Sequence, residues 1–134
     1  MIRTLVLLLT LALAPSSAAH AAPVRIRFAR QAITARVYGR MTPARQSAFY
    51  VVAARAGQHM LVHTAGTRPG RDTPHSFTTI AVVTSPSGRQ EGQKGVLSFD
   101  QTLTETGDYV IRVGPNMMAS NARGGPYLLE VVVY

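Results

Sequence analysis

Past position 21 the chain holds few residues able to do acid–base chemistry: Asp72, Glu91, Asp100, Glu105, Asp108 and Glu130. Cleaving a glycan by general acid and base takes two carboxylates about 5–10 Å apart. Glu105 and Asp108 are close in sequence, but they flank a Thr106-Gly107 turn, where acids serve the backbone rather than a reaction. Serine, histidine and aspartate are all present, yet no Gly-x-Ser-x-Gly elbow presents a nucleophile. His59 and His63 stand four residues apart, a spacing that grips one metal ion on a helix. On a strand the same spacing separates them by about 13 Å, too far for a shared ion. Their segment reads as a strand, so no metal, no cofactor and no catalytic residue is expected, and the chain reads as a non-enzyme. His75, in a basic stretch, could at most make a pH-sensitive contact.

Binding chemistry is better represented. The 14 Lys and Arg residues against 6 acids give a net charge of +8, and only Arg3 falls in the first 21 residues, so the remainder carries +7. All but Lys94 of those cations are arginines, whose planar forks pair carboxylates and phosphates bidentately. Two long turn-rich stretches concentrate the candidates. One, 65–76, holds Arg68, Arg71 and His75; the other, 114–125, holds Asn116, Met117, Met118, Asn121 and Arg123. Loops this long in a small domain are usually functional or mobile, and adjacent methionines offer an adaptable contact surface or a cap on the core.

The elements that position these loops are strands. Residues 1–21 come first, with Arg3, the apolar run 5–14 and the small-residue exit Ala19-His20-Ala21, the pattern of a secretory signal peptide cut after Ala21, with Ala22 as the neighbouring alternative. The apolar run is too short to span a bilayer. An exported chain, periplasmic or secreted, meets envelope glycans and foreign enzymes rather than nucleic acid, and its aromatics sit inside apolar runs rather than along a basic groove. The remaining 22–134 make one domain without cysteine, so packing alone must stabilise it. Short apolar runs punctuated by Gly, Pro, Ser and Asn predict eight strands, near 24–28, 33–38, 48–55, 59–64, 78–84, 96–99, 109–113 and 127–134. The expected fold is all-β, an antiparallel sandwich of about eight strands with jelly-roll or Greek-key connections. Val24, Ile26 and Phe28 should face inward, Gly39 should close the second strand, and 48–55 should be central.

The order of motifs is more specific than the pattern. It runs from the strand closed by Gly39, through Tyr50-Val51-Val52-Ala53-Ala54-Arg55-Ala56-Gly57-Gln58, to the hairpin Pro86-Ser87-Gly88. It continues with Thr106-Gly107-Asp108-Tyr109-Val110-Ile111-Arg112-Val113 and ends with Tyr127-Leu128-Leu129-Glu130-Val131. This order resembles the bacterial pre-peptidase C-terminal type of β-sandwich from about residue 33 to 133. In layout the single exported domain is similar to the periplasmic inhibitors of goose-type lysozyme. That resemblance implies a protein partner, a lysozyme-type glycosidase, blocked by the end loops that carry Arg68, Arg71, His75, Asn116, Met117, Met118, Asn121 and Arg123. Thr106-Gly107-Asp108-Tyr109 is a one-residue-shorter counterpart of the Ser-Gly-x-x-Tyr motif found in several inhibitor families. The alternatives are a peptidoglycan- or glycan-binding accessory module and a structural envelope protein.

Overall fold

The computed structural model describes residues 22–68, 71–73, 78–118 and 124–134. Ten strands build two sheets, and among the described residues there is no helix. The strands are β1 (Val24–Arg25), β2 (Thr34–Met41), β3 (Ala48–Ala54), β4 (His59–Arg68), β5 (Arg71–Thr73), β6 (Thr78–Thr84), β7 (Gln90–Glu91), β8 (Ser98–Thr102), β9 (Gly107–Pro115) and β10 (Gly125–Val133). One sheet has the order β1-β3-β9-β6-β7. The other runs β2-β10-β4-β5, with β8 sharing the far edge of β4. Consecutive strands change sheet at every step except β4–β5 and β6–β7, so both sheets are assembled from distant parts of the chain.

Alternation sets the two inner faces. Tyr50, Val52 and Ala54 of β3, Tyr109, Ile111 and Val113 of β9, and Ile80 and Val83 of β6 point inward from the first sheet. Met60 and Val62 of β4 and Tyr127, Leu129, Val131 and Val133 of β10 meet them from the second. Each large side chain fully withdrawn from water contributes about 1.5–3 kcal/mol, and these layers supply the stability that no disulfide supplies. The closing strand β10 is central, paired with β2 along one edge and β4 along the other.

Several sequence expectations are corrected. The first predicted strand is only two residues long and joins β3 in parallel, Val24 opposite Tyr50 and Arg25 opposite Val51. Val24 is exposed, whereas Ile26 is buried and holds the register through its N–H to the Val51 carbonyl. Gly39 does not end β2; the strand runs on to Met41, because Gly39 makes room for the Tyr127 ring of β10 rather than turning the chain. The strand expected at 96–99 lies at Ser98–Thr102, with Val96 retained as an isolated bridge to Ile80. Part of the stretch read as a loop, 65–76, is a hairpin in which β4 continues to Arg68 and β5 returns from Arg71. The central position of 48–55 and the inward Met60 and Val62 are as the alternation requires.

Candidate functional site

Pairing decides which connections share an end. Tyr127 of β10 lies opposite both Gly39 of β2 and Gly66 of β4, and Thr78 of β6 lies opposite Pro115 of β9. Three connections therefore emerge together: 42–47 between β2 and β3, the segment carrying β5 between β4 and β6, and 116–124 between β9 and β10. The buried Thr64 and Thr78 tie the sheets beneath them, with Thr64 Oγ1 donating to the Thr78 carbonyl at 3.0 Å and Thr78 Oγ1 donating to Thr64 Oγ1 at 3.2 Å.

The opposite end is bound up in its own hydrogen bonds. The Gln58 side chain accepts the Arg55 N–H at 2.8 Å, Thr106 Oγ1 accepts the Ala56 N–H at 2.9 Å, and the Leu103 carbonyl accepts the Gly57 N–H at 2.8 Å. The Tyr109 hydroxyl donates to the Glu105 carbonyl at 2.8 Å and accepts the Glu105 N–H at 3.1 Å, closing a corner four residues long. Side-chain hydrogen bonds from Ser85 and Ser87, helped by a backbone bond from Ser87 and the charge of Arg89, hold the Glu105 carboxyl below its ordinary range. Asp108 does not serve its turn as the sequence suggested. It takes both forks of Arg25, at 2.6 and 3.0 Å, and that contact lowers its pKa. The Thr-Gly-Asp-Tyr motif is thus scaffold, placed away from the loop end.

At the loop end, Arg68 and Arg71 stand opposite each other as the last backbone pair of β4 and β5. Asn116 Oδ1 accepts the Met118 N–H at 3.1 Å, a local turn that puts Met117 and Met118 in solvent at 80% and 95% exposure. The methionines are therefore a surface feature rather than a core cap. Gly124, with φ at +102°, passes so close to the Met41 carbonyl that a Cβ there would lie 2.4 Å from its oxygen, which seats Gly124 itself against the start of the 42–47 turn. His75, Asn121 and Arg123 lie outside the described residues.

The sequence reading missed the neighbouring cleft, about 670 Å³ in volume. Tyr38, Arg40, Arg45, Phe49, Tyr50 and Tyr127 all line it. The Thr42-Pro43 turn sets Arg45, whose N–H bonds the Thr42 carbonyl and Oγ1, each at 3.0 Å, while its own carbonyl accepts the Thr42 N–H. On the floor the Tyr50 and Tyr127 hydroxyls share one hydrogen bond of 2.6 Å. Burial, then the bond to Tyr50, raises the Tyr127 phenol above its ordinary value, against a smaller lowering by Arg45. A smaller groove of about 330 Å³ adjoins through Ser47 and is bordered by Lys94, Arg112 and Met117. Among the described residues, Arg40, Arg45, Lys94 and Arg112 form no ion pair. Arg25, Arg36 and Arg89, in contrast, are paired with Asp108, Glu130 and Glu91. The loop end is therefore rich in free cationic donors. Among the described residues, no carboxylate lines either cavity. His59 and His63 lie on the outer face of the second sheet, bonded to Asp100 and Thr102 and to Ser98 respectively.

No protein-family model matches the chain, and no curated protein matches it. Solved structures do. The chain is similar to PliG of Aeromonas hydrophila, a periplasmic lysozyme inhibitor of g-type lysozyme, at 26% identity and a TM-score of 0.63, covering 84% of this chain and 96% of that one. A mutant of the Escherichia coli PliG matches at 16% identity and a TM-score of 0.60, covering 84% and 97%. Salmonella Typhimurium PliG matches at 18% and 0.58, covering 84% and 98%. The last two establish the sandwich fold alone.

Proposed function

We propose that the chain is an exported, non-catalytic inhibitor of a lysozyme, most specifically of the goose type, that acts through the loop end of the sandwich. In this reading residues 1–21 are a signal peptide and 22–134 form the single working domain of the periplasm. The observation that carries it is the match to Aeromonas hydrophila PliG, at 26% identity across nearly the full length of that protein. The geometry supports it independently. The two loops singled out from sequence emerge at the same end, and Arg40, Arg45, Lys94 and Arg112 there form no ion pair among the described residues. A glycosidase cleft offers a carboxylate, and arginine matches it with two parallel hydrogen bonds. The exposed Met117 and Met118 supply an apolar contact beside those cations. The pre-peptidase likeness remains a statement about motif order within the same sandwich.

The test is lysis of a peptidoglycan suspension by goose-, chicken- and invertebrate-type lysozymes, with and without the purified protein. Selective suppression of the goose-type enzyme at near-equimolar ratio is the expected result. Replacing Arg71 and Arg123 together by alanine should relieve it. Unchanged inhibition of a responsive lysozyme in that double variant would remove these arginines from the interface, and no inhibition of any enzyme would overturn the reading itself.

A further inference from the structure

The cleft beside the 42–47 turn has a donor inventory that the protein does not use up. Tyr50 and Tyr127 are 4% and 1% exposed, and they line the cleft floor with one hydrogen bond between them. Two phenols carry two protons. One is spent within the pair, and no second acceptor lies within hydrogen-bonding distance among the described residues, so one buried O–H beside the cleft is left without a partner. Arg45 and Arg40 line the same space as guanidinium donors that form no ion pair among the described residues. Besides the neutral Gln46 and Ser47, the polar side chains of the site are donors and positive charge, with no carboxylate among the described lining residues, so it favours a ligand group that accepts and carries negative charge. A carboxylate meets that description.

The walls define the rest of the ligand. Tyr38, 70% exposed, and the half-buried Phe49 give the cleft ring faces beside its polar floor. A volume of about 670 Å³ falls in the range of small-molecule sites, roughly 300–1,000 Å³, rather than that of a flat protein interface. We propose that this cleft binds a carboxylate carried on a sugar ring, an acidic saccharide of the N-acetylmuramic acid kind. Its carboxylate meets Arg45 and the free phenolic O–H, and its ring lies against Tyr38. The choice of a wall saccharide rests on the exported location proposed above; the donor count does not.

Three probes separate the contributions. N-acetylmuramic acid joins the ring of N-acetylglucosamine to a lactyl carboxylate, so N-acetylglucosamine tests the ring alone and lactate tests the carboxylate alone. Binding is followed by NMR shifts of the protein during titration. The expected result is N-acetylmuramic acid bound at roughly millimolar Kd and about tenfold tighter than either fragment. Arg45→Ala, at an exposed position, should weaken N-acetylmuramic acid about tenfold and leave N-acetylglucosamine unchanged. Tyr38→Ala should weaken both sugars. The pair Tyr50→Phe with Tyr127→Phe should act as Arg45→Ala does, with a thermal melt confirming the fold. Equal affinity for the two sugars, no shifts with N-acetylmuramic acid at about 20 mM, far above the expected Kd, or indifference to Arg45→Ala overturns the proposal. Lysozyme inhibition is measured on the same samples. Its absence with intact sugar binding sinks the inhibitor reading and leaves the cleft. Its loss in Arg45→Ala without any sugar binding sinks the saccharide and assigns the cleft to the protein interface.

Discussion

Gly39→Ala tests the packing beneath the cleft. A Cβ built at Gly39 lies 2.4 Å from Cζ of Tyr127, 2.5 Å from its hydroxyl oxygen and 2.9 Å from Cε1. Ordinary contact needs about 3.5 Å, so about 1 Å must be found. Withdrawal of Tyr127 is resisted: it is 1% exposed in the central strand of its sheet and held by Tyr50 at 2.6 Å. Forcing a methyl into a filled site costs about 1–3 kcal/mol. Shifting the ring also sacrifices the shared hydroxyl bond, about 0.5–1.5 kcal/mol. Against these, alanine is favoured over glycine inside a strand by roughly 0.5–1 kcal/mol. Sterics win, and the net cost is about 2 kcal/mol, a fall in Tm of roughly 8 °C for a domain of this size. Thermal denaturation followed by circular dichroism measures it. Adding Tyr127→Leu, which removes Cζ and the hydroxyl, should make the second substitution cost less in the alanine background than in wild type. A neutral or stabilised Gly39→Ala would refute the close approach and restore Gly39 as a mere strand terminator.

Tyr109→Phe should cost about 1–3 kcal/mol in denaturant unfolding, because both the N–H and the carbonyl of Glu105 lose their partner. Asp108, depressed below its ordinary 3.8 by Arg25, stabilises fully above that unfolded value, and the contribution is lost as pH falls through the lower folded pKa. The stability gap between wild type and Asp108→Asn should therefore be present at neutral pH and close below pH 3.8; a gap that does not change with pH contradicts the ion pair. Tyr127 is shifted the other way. Its contribution is complete below the ordinary phenol value of 10.0 and is lost as pH rises past it, so alkaline unfolding should be blunted in Tyr127→Phe. Ultraviolet titration should show this phenol ionising only as the protein unfolds.

Much of the scaffold is legible in the sequence because it is local. Gly57-Gln58, Thr106-Gly107 and the alternating runs of β3, β4, β6, β9 and β10 each carry their turn or period within a few residues. What escapes is whatever depends on a distant partner. Gly39 reads as a stop, and only Tyr127, brought alongside by β10, reveals that the strand continues. The β4–β5 hairpin hides in a polar, turn-rich stretch because three residues of edge strand need no apolar period. The cleft is the extreme case. Tyr50 and Tyr127 are 77 residues apart, each reads as an ordinary core aromatic, and the spare phenolic proton exists only once they meet. Tyr38, exposed on β2, is the one residue whose place in the alternation could have pointed there.

Net charge gives the inhibitor reading a kinetic consequence. Arg25, Arg36 and Arg89 are neutralised by acids, while Arg27, Arg30 and Arg55 at the scaffold end and Arg40, Arg45, Lys94 and Arg112 at the loop end form no ion pair among the described residues. A domain of net +7 approaching a lysozyme that is itself basic is repelled at long range, even though a cleft carboxylate attracts its arginines at contact. The two effects differ in range. At physiological salt the Debye length is about 8 Å, which screens the approach but scarcely reaches a pair in contact. For a net-positive target, raising salt from about 20 to 150 mM should therefore speed association while changing dissociation little. Stopped-flow inhibition kinetics at several salt concentrations measure both rates. If association with such a target slows as salt rises, the unpaired cations of the loop end, rather than the net charge, govern the encounter.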